Sequence, residues 1–351
     1  MVMGKCCRYY FVLIICLVLT AALSAESLQA QNGIMFWNLE NFFDYFDDGR
    51  SSSDSDFSSR GVRRWTKARF EKKCVMIGKT LLWAGERYSS DAEPPDLVGV
   101  CEVENSFVLR RLVHTPVLEK VGYGYVHYDS PDRRGIDVAL LYRKGRVRVL
   151  SSRAVHICRP DGCLMPTRDI LYAYVEIVQN DGKVRTGSGD DTGASESRRM
   201  HILVNHHPSK FSGAKASAEG RELAMAALRS LCDSVAAVSG EPIVAMGDFN
   251  DTPDAEQFSI VEGRLKNLAA PLSERGEGSI RFEGRWSLID HFLVGNCGSA
   301  ETGWEMTVLQ PPFLMVRDRS YSGFKPFRTY VGPRYGGGVS DHLPVFLRVI
   351  P

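Results

Sequence analysis

The sequence lacks a large net charge, an internal repeat and, outside its N-terminal stretch, any apolar run that could anchor it in a membrane. Its 351 residues include 43 basic and 42 acidic side chains, so net charge does not draw the whole chain to nucleic acid or to a membrane. A local basic face is still compatible with this balance. The missing repeat disfavours a repeat array. With 44% hydrophobic and 24% charged residues, the composition is that of a globular protein with one large core or two modest ones.

The N-terminal stretch has the pattern of a targeting segment. Lys5 and Arg8 precede an apolar run over residues 10–23, which is too short to span a bilayer comfortably. A positive segment followed by a short apolar run is typical of a cleaved secretory signal. We therefore expect residues 1–30 to be removed and the mature protein to be secreted or periplasmic, without an integral membrane segment.

The cleavage position follows from small side chains. Ala30 provides a small residue at the expected site, but Leu28 is bulkier than such sites prefer, so cleavage after Ser24 or Ala25 is the alternative. With the first position, residues 31–351 form the mature chain, which we expect to be a single domain.

Removal of the signal changes the charge and the cysteine content. The 43 basic and 42 acidic residues become 41 and 41, and three of the nine cysteines are lost. An exported chain can oxidise its thiols, and the turn-forming segment Cys158-Arg-Pro-Asp-Gly-Cys163 predicts a disulfide. Cys74, Cys101 and Cys232 lie in apolar patterns, which favours packing in the core.

Six short apolar runs are each joined to residue types that can hold a divalent metal or move a proton. Apolar runs of this length, bounded by polar turns, indicate buried strands. In open α/β folds the ligand lies at the strand ends, so these polar residues are expected along one sheet edge. They are Asn38, Glu102, His206, Asp248 with Asn250, Asp290, and Asp341 with His342.

Two amphipathic helices are predicted between these strands. In the first, apolar residues recur at helical spacing from Phe70 to Leu81, behind Thr66 as a candidate N-cap and before Gly85. The lysines of this segment, Lys73 included, are assigned to a solvated face, with phosphate steering as the alternative. The second helix covers residues 223–235.

The remaining pattern predicts further strands and two loops. Residues 136–142, 147–157 and 170–178 are strand-like, and the last two suggest a meander. Residues 47–61 and 181–199 are rich in small polar side chains, which predicts mobile surface excursions within one domain.

The segment Gly247-Asp248-Phe249-Asn250-Asp251 carries the clearest chemistry. A carboxylate and an amide two residues apart can face one cavity, where Asp248 orients a water or a metal and Asn250 donates to a phosphoryl oxygen. The alternative is an Asp-Asn turn that caps the next helix.

Glu102 is the best single candidate for a metal ligand. Hard cations such as Mg²⁺ take oxygen ligands and keep several waters, so one or two carboxylates and an amide are sufficient. Glu104 is the alternative ligand, although it is equally compatible with a surface or supporting position.

Two histidines supply acid-base candidates. His206 ends a strand ahead of Pro208, and His342 follows a glycine-rich segment. A histidine titrates near neutral pH and can move a proton, provided that a carboxylate fixes its tautomer. Asp290 is the candidate for that carboxylate, since an unpaired charge in an apolar strand would be costly.

The ordered set of these motifs resembles the endonuclease/exonuclease/phosphatase superfamily, which includes nucleases, sphingomyelinases and inositol-polyphosphate phosphatases. The resemblance covers about residues 32–351, and it depends on seven blocks in the right order. They are Asn38-Leu-Glu-Asn41, Cys101-Glu102, Arg134-Gly-Ile-Asp-Val138, Asn205-His206, Gly247-Asp-Phe-Asn250, Ile289-Asp290 and Ser340-Asp341-His342.

The resemblance implies a fold and a set of metal ligands. The fold is an α/β four-layer α/β/β/α sandwich, in which two packed mixed sheets are flanked by helices. The implied cofactor is Mg²⁺, with Mn²⁺ or Ca²⁺ as alternatives. Glu102 would be the principal metal ligand, and Asn38 and Asp341 would contribute directly or through water.

The resemblance also implies catalytic and substrate-binding roles. His342, paired with Asp290, would be directed at the scissile phosphate or the attacking water. Asp248 would orient the nucleophile or hold a second ion, so either Asp248 or the Asp290–His342 pair could activate water. Asn250 would bind a phosphoryl oxygen and His206 would stabilise developing charge. Arg134 and Asn205 would contact the substrate.

Two features depart from the expected pattern. His207 stands where related secreted members often carry an aromatic residue, and His291 directly follows Asp290. Each is expected to be a packing or rim residue, with altered substrate preference as the alternative. The segment over residues 298–338 interleaves aromatic rings with basic side chains, which suits nucleotide binding, although an ordinary aromatic-rich loop has the same composition.

Three functions remain open on this sequence. The favoured one is a secreted, metal-dependent phosphodiesterase that cleaves nucleic acid as an endonuclease, with no obligate protein partner. The second is a phosphatase or a sphingomyelinase-like phosphodiesterase. No segment resembles a long hydrophobic membrane-docking hairpin, which disfavours a lipid substrate. The third is a noncatalytic exported binding protein, disfavoured because the full set of polar motifs is present.

Overall fold

The structure is a computed structural model that describes residues 33–49, 51, 53–89, 91–178, 197–210, 214–296 and 303–350. The predicted signal, residues 1–30, lies outside them, and so does most of the predicted loop over residues 181–199. Within the described part of the chain, no helix combines the length and the apolar character needed to cross a membrane.

The described residues contain four α-helices and eighteen strands. The helices are α1 (Lys67–Tyr88), α2 (Ser106–Val113), α3 (Ala214–Ala236) and α4 (Ala270–Glu274). The first nine strands are β1 (Gly33–Phe42), β2 (Leu97–Val103), β3 (Tyr123–His127), β4 (Asp137–Arg143), β5 (Val147–Val155), β6 (Ile170–Val178), β7 (Ser197–His206), β8 (Ile243–Asp248) and β9 (Lys266–Asn267). The others are β10 (Ile280–Phe282), β11 (Arg285–Ser287), β12 (Asp290–Gly295), β13 (Gly303–Val308), β14 (Met315–Arg317), β15 (Phe324–Pro326), β16 (Tyr330–Val331), β17 (Arg334–Tyr335) and β18 (Val345–Ile350).

Two six-stranded mixed sheets form the centre of the molecule. The first has the strand order β13-β18-β1-β2-β4-β3, and the second has the order β5-β6-β7-β8-β12-β9. Strands β1 and β2 pair in parallel, as do β7 and β8, whereas the other pairs in both sheets are antiparallel. The predicted meander is confirmed by the antiparallel pairing of β5 with β6.

The sheets pack face to face with helices outside them. A side chain on Gly99 in β2 would meet the sulfur of Met246 in β8 at 2.9 Å, so the two sheets approach closely at this point. Helix α1 buries Phe70, Ile77 and Leu81 in the cluster that includes the first sheet, and α3 packs on the second sheet. The predicted α/β four-layer sandwich is confirmed.

Helix α1 begins as predicted but ends later. The Thr66 side chain accepts a hydrogen bond from the amide of Arg69 and caps the helix, which continues past Gly85 to Tyr88. Gly85 is a point of close approach, because a Cβ there would lie 2.3 Å from the carbonyl oxygen of Glu93. The glycine therefore makes room for the chain that leads into β2.

The substitution Gly85→Ala is expected to destabilise the protein although it improves helix propensity. Alanine favours the helix by about 1 kcal/mol over glycine, but overpacking against backbone costs about 1–3 kcal/mol. Urea unfolding of the purified variant measures the net loss. The matched control is Gly240→Ala, because a Cβ on Gly240 meets nothing within 4 Å. A Gly85→Ala variant as stable as this control would contradict the packing argument.

The predicted excursion over residues 47–61 lies largely at the surface, but a few of its described residues anchor it to the core. The ring of Phe57 stacks on Phe43 with centroids 4.7 Å apart, and the buried carboxylate of Asp54 accepts hydrogen bonds from the amides of Asp48 and Gly49. Some polar groups of this segment are therefore satisfied inside the loop, a feature that polar composition alone does not indicate.

The predicted disulfide is wrong. Cys158 and Cys163 are both free and exposed. The hairpin pairs Cys158 with Leu164, which places Cys163 one residue out of register. Neighbouring residues of an extended chain point to opposite faces, so the two sulfurs are directed apart. Cys74, Cys101 and Cys232 are free and buried, as predicted.

Candidate active site

Strand register in the second sheet places three predicted site residues side by side. His206 ends β7 opposite Asp248 at the end of β8, and Asp290 at the start of β12 pairs with Asp248 from the other side. All three side chains are at least 97% buried. Because the strands are hydrogen-bonded neighbours, the row is fixed by the backbone.

The first sheet brings Glu102 to the same region through a β-bulge. Cys101 pairs with Val138 and Val103 pairs with Asp137, so Glu102 is the extra residue of β2. Its backbone is left-handed, with φ of 59°, which is unfavourable for a residue with a side chain. Bulges redirect a side chain at a strand end, and this one turns Glu102 toward the sheet edge.

His342 connects the two sheets. It precedes β18, and its position is fixed by Trp37, whose Nε1 donates to the His342 carbonyl at 2.9 Å, and by Ser340, whose Oγ accepts from the His342 amide at 3.0 Å. From there Nδ1 of His342 donates to Oδ2 of Asp290 at 2.7 Å. The predicted pairing of these two residues is therefore present as a short hydrogen bond between the two sheets.

Asp248 is the centre of the assembled group. Its Oδ2 accepts from Nδ2 of Asn38 at 3.0 Å, and it lies 3.7 Å from Nε2 of His206 and 3.8 Å from Nε2 of His342. Its Oδ1 accepts from the amide of Asn250 at 2.9 Å. Burial raises the pKa of Asp248 to about 7, although the nearby His342 lowers it.

The two histidines hold different protonation states. Burial lowers the pKa of His206 well below its ordinary value, and the cations Arg168 and Arg134 lower it further. Burial also lowers the pKa of His342, but the carboxylates of Asp290 and Asp248 outweigh this effect and bring it well above its ordinary value. At neutral pH, His206 is therefore neutral and His342 carries a proton on each nitrogen.

Glu102 lies at the mouth of the group. Its Oε2 accepts from the amide of Asn41 at 2.6 Å and lies 3.6 Å from the guanidinium of Arg134. Arg134 also donates to Oδ1 of Asn41 at 2.7 Å, and its side chain is 41% exposed. Arg134 is thus held at the opening, where its free donors face solvent.

A second arginine flanks the opposite side. Arg328 donates to Oδ2 of Asp341 at 2.8 Å and lies 3.4 Å from Oε1 of the buried Glu40. Burial lowers the pKa of Arg328, but Asp341, Glu40 and Glu102 outweigh it and raise the pKa above its ordinary value. Glu102 and Asp341, two of the predicted metal ligands, therefore both stabilise the charged guanidinium of Arg328.

Glu40 and Lys73 attach the segment around Arg328 to β1. Glu40 accepts from the amides of Thr329 at 2.6 Å and Tyr330 at 3.3 Å. Lys73 donates to the Glu40 carbonyl at 2.6 Å and to Oγ1 of Thr329 at 2.9 Å. Lys73 is buried, so its assignment to a solvated face is wrong. Lys73 lies three residues after Phe70 and therefore on the apolar face of α1, and this spacing could have predicted its burial.

We expect Lys73→Met to lower the free energy of unfolding by about 3 kcal/mol or more, since removal of one member of a buried charged group leaves the others uncompensated. Chemical denaturation measures the loss. Lys79→Met on the same helix is the control, because Lys79 is exposed and its removal should change stability by less than about 0.5 kcal/mol. Equal stability of the two variants would refute this role.

The two predicted asparagine contacts differ in the structure. Asn250 has a left-handed backbone with φ of 53°, and its Nδ2 donates to the His207 carbonyl at 3.0 Å, which leaves one amide hydrogen available. Asn205 is fully buried, and its Nδ2 donates to the carbonyls of Leu203 and Met246. Both of its amide hydrogens are used by strand backbone, which favours a supporting position, whereas its buried Oδ1 has no hydrogen-bond partner, and substrate contact by Asn205 stays a prediction.

The two unusual histidines are packing residues. His207 packs edge-on against Phe249, and burial lowers its pKa to about 3. His291 stacks on Phe249 and packs against Phe258, and burial lowers its pKa to about 4. The expectation that they pack is confirmed. Sequence reasoning missed Arg168, which is buried, pairs with Asp132 at 3.0 Å and keeps His206 neutral.

The donor atoms fit a hard divalent cation at the mouth. Glu102, Asp341 and Oδ1 of Asn38 are all oxygen donors, which Mg²⁺, Mn²⁺ and Ca²⁺ prefer. Within the described part of the chain, three groups of His, Cys, Asp or Glu side chains bring ligand atoms within 4.8 Å of one another. They are Cys101–His206–Asp248, Asp248–Asp290–His342 and His127–Asp129–Asp137. None of these groups includes Glu102 or Asp341.

Comparison of the sequence with protein families gives one match over nearly the whole described chain. Residues 33–350 match the model of the Endonuclease/Exonuclease/phosphatase family. No curated protein matches the sequence.

Solved structures share the fold at low sequence identity. An endonuclease/exonuclease/phosphatase family protein from Bacteroides thetaiotaomicron is 14% identical, covers 92% of this chain and 98% of its own, and has a TM-score of 0.54. A mannosyl-6-phosphatase from the same organism is 15% identical over 91% of this chain and all of its own, with a TM-score of 0.53. D. rerio TDP2 complexed with a single-strand DNA product is 12% identical over 92% of this chain and 99% of its own, with a TM-score of 0.52.

Proposed function

The chain belongs to the endonuclease/exonuclease/phosphatase family, whose members are metal-dependent phosphoesterases, and from this premise we propose that it hydrolyses phosphodiester bonds of nucleic acid. The observation that carries the proposal is the open form of the site. Arg134 and Arg328 flank Glu102 and Asp341 at the mouth, and their side chains are 41% and 44% exposed. Small-molecule sites instead enclose most of their ligand in a concave pocket. Two exposed guanidiniums on an open edge suit the backbone of a polymer with several phosphates.

The proposed chemistry assigns different tasks to the buried groups. Asp248, with a pKa raised to about 7 by burial, accepts the proton of the attacking water at neutral pH. His342 is a poorer candidate for that base, because its Nδ1 donates to Asp290 and the carboxylates of Asp290 and Asp248 hold its pKa well above the ordinary value. It instead directs its Nε2 proton toward negative charge that develops on the phosphoryl oxygens.

The other side chains position the substrate. Neutral His206 can donate one hydrogen bond, and Asn250 has one amide hydrogen left for a phosphoryl oxygen. Arg134 binds a phosphate at the mouth. We propose that Glu102, with Asp341 and Asn38, holds Mg²⁺ or a similar cation, which supplies positive charge against the phosphoryl oxygens when bound.

A substrate panel tests the proposal. Purified protein is incubated with plasmid DNA, RNA, sphingomyelin, an inositol phosphate and a generic phosphomonoester, each with Mg²⁺ and with chelator. Metal-dependent cleavage of DNA or RNA supports the proposal. Hydrolysis confined to the phosphomonoesters or to sphingomyelin overturns it in favour of a phosphatase or a lipid phosphodiesterase. Turnover of none of them would favour a binding protein.

We also propose that the protein is exported, with residues 1–30 removed and residues 31–351 acting as one catalytic domain. The support is the basic and apolar pattern of the N-terminal stretch. N-terminal sequencing of protein from the periplasm or the culture medium tests this. A sequence that begins at Met1, or a protein retained in the cytoplasm, would overturn it.

A further inference from the structure

Two small hairpins lie beside His342. The first, β10–β11, follows Ser279, whose carbonyl accepts from the amide of Leu343 at 2.7 Å. Ile280 at the start of β10 forms a backbone bridge with His342. Phe282 lies two residues farther along β10, about 7 Å away at the rise of a strand. The hairpin therefore projects from the catalytic group itself.

The second hairpin, β14–β15, is tied to the first by Arg281. This guanidinium donates to the carbonyls of Ser322 at 2.6 Å and Phe324 at 3.0 Å, and it pairs with the buried Asp318 at 3.4 Å. Tyr321 belongs to the loop of the second hairpin, and its ring packs on the turn of the first. A Cβ on Gly284 in that turn would come within 3.1 Å of the ring. The two hairpins are thus one built unit, since a buried ion pair and several carbonyl bonds join them.

The unit presents aromatic rings to solvent. Phe282 is 72% exposed, Phe324 is 58% exposed and Tyr321 is 46% exposed. Burial of such a ring contributes about 1.5–3 kcal/mol, so three exposed rings on a rigid support are an unused source of binding energy. We call Phe282, Tyr321 and Phe324 the aromatic platform.

Each hairpin places an arginine opposite its exposed phenylalanine. Phe282 pairs with Arg285 across β10–β11, and Phe324 pairs with Arg317 across β14–β15. Both arginines are exposed. Cross-strand partners lie on one face of a hairpin, so each ring has a cation within reach of the same ligand. This combination is complementary to a base attached to a phosphate, and a purely apolar partner would leave the arginines unpaired.

We propose that the aromatic platform binds unpaired bases of a nucleic-acid strand next to the scissile phosphate, with Arg285 and Arg317 on its backbone. The inference rests on the proposed function and narrows its substrate to single-stranded or locally unpaired nucleic acid. Bases stack on aromatic rings without regard to sequence, and guanidiniums follow the phosphates. In a duplex the faces of the bases are already stacked and unavailable.

The sequence could not define this platform. The composition of residues 298–338 suited nucleotide binding and an ordinary aromatic-rich loop alike, and in the structure Tyr330 is buried and Tyr335 packs against Trp65 and Tyr330. The guanidinium of Arg69 lies 4.1 Å from the centroid of Tyr335. Only Tyr321 and Phe324 of the segment join the platform, and Phe282 comes from outside it.

The test compares binding without cleavage. Anisotropy of a fluorescein-labelled single-stranded 12-mer (an oligonucleotide of about that length covers one binding site) is measured in chelator for wild type and for a Phe282→Ala/Phe324→Ala double variant. We expect Kd to rise at least tenfold in the double variant, since stacking of each base contributes about tenfold. Arg285→Ala and Arg317→Ala should reduce the salt dependence of binding. The exposed Val238, which follows α3 at the opposite end of β8, supplies the control Val238→Ala.

Activity separates the platform from the proposed function. Hydrolysis of bis(p-nitrophenyl) phosphate, which has a single phosphate and no oligonucleotide strand to lie along the platform, should be unchanged in the double variant and confirms an intact catalytic group. The single variant Phe282→Trp keeps a ring for stacking and should bind the oligonucleotide like wild type, whereas the single variant Phe282→Ala should bind it more weakly. If the double variant bound the oligonucleotide with wild-type affinity, the platform proposal would be refuted, even if the wild-type protein cleaves DNA. Ring-dependent binding without nuclease activity would overturn the proposed function and keep the platform. Binding of the rings to anionic vesicles in place of the oligonucleotide would also refute it.

Discussion

Replacement of Glu102 by alanine is expected to lower kcat/KM for phosphoester hydrolysis by about 10³-fold or more while the protein remains folded. A bound cation contributes several kcal/mol of charge stabilisation in such reactions, and about 4 kcal/mol corresponds to this factor. Glu102 is the carboxylate that the bulge in β2 turns to the mouth. The left-handed backbone at Glu102 is unfavourable for a residue with a side chain, and it belongs to the bulge that redirects this carboxylate.

Metal binding and stability distinguish this loss from misfolding. Titration calorimetry with Mg²⁺ or Mn²⁺ should show weakened binding in Glu102→Ala, and urea unfolding should show no large loss of stability. Glu93→Ala is the control, because Glu93 is an exposed carboxylate ahead of the same strand. Turnover of Glu102→Ala close to wild type would remove Glu102 from the site.

Much of the architecture was accessible from the sequence because buried strands carry a strong pattern. The apolar runs before Glu102, His206 and Asp248 became β2, β7 and β8, and the amphipathic periodicity behind Thr66 became α1. Polar residues at strand ends could be assigned to one sheet edge, because a chain rarely places carboxylates and imidazoles there without partners. The same cost marked Asp290 as a carboxylate in need of a partner, and the family resemblance named His342 as that partner.

The rest depended on contacts between residues far apart in the chain. No local pattern marks the bulge at Glu102, since a bulge is a property of two strands and not of one. The link from Lys73 to Thr329 spans 256 positions, and composition alone assigned that lysine to solvent. The platform likewise combines Phe282 with Phe324 through Arg281, which donates to two backbone carbonyls and pairs with Asp318, 37 positions away, so no local pattern marks the link.

The structure also changes which group can act as the base. On sequence alone, Asp248 and the Asp290–His342 pair were equivalent candidates. Burial affects the two in opposite directions, because it favours a neutral carboxyl at Asp248 while two carboxylates keep His342 charged. These opposite effects support the proposal that Asp248 takes the proton near neutral pH and that His342 serves as a donor. This assignment predicts a specific effect of replacing Asp290, the carboxylate that accepts the hydrogen bond from His342.

Substitution Asp290→Asn is expected to reduce kcat by about 10⁴-fold at neutral pH, the scale of loss when an orienting carboxylate becomes an amide. Asparagine keeps the shape of the side chain but removes its negative charge. In wild type that charge, on Oδ2 of Asp290 at 2.7 Å from Nδ1 of His342, favours the protonated imidazole. The pKa of His342 should then fall, because burial lowers it and the main opposing charge is gone. His342 would lose its proton as the pH rises through this lowered pKa.

The pH dependence tests this assignment beyond a simple loss of rate. In wild type, His342 stays protonated well above the ordinary range of histidine, so its contribution persists at alkaline pH. In Asp290→Asn the residual activity should increase toward acidic pH, where the imidazole regains its proton, and NMR titration of the ring should show the lowered pKa. His342→Ala should lose activity to a similar degree but without that acid recovery, because it has no ring to reprotonate. If Asp290→Asn and wild type gave parallel pH profiles, the carboxylate would not be acting through His342, and Asp248 would have to work without a charged neighbour.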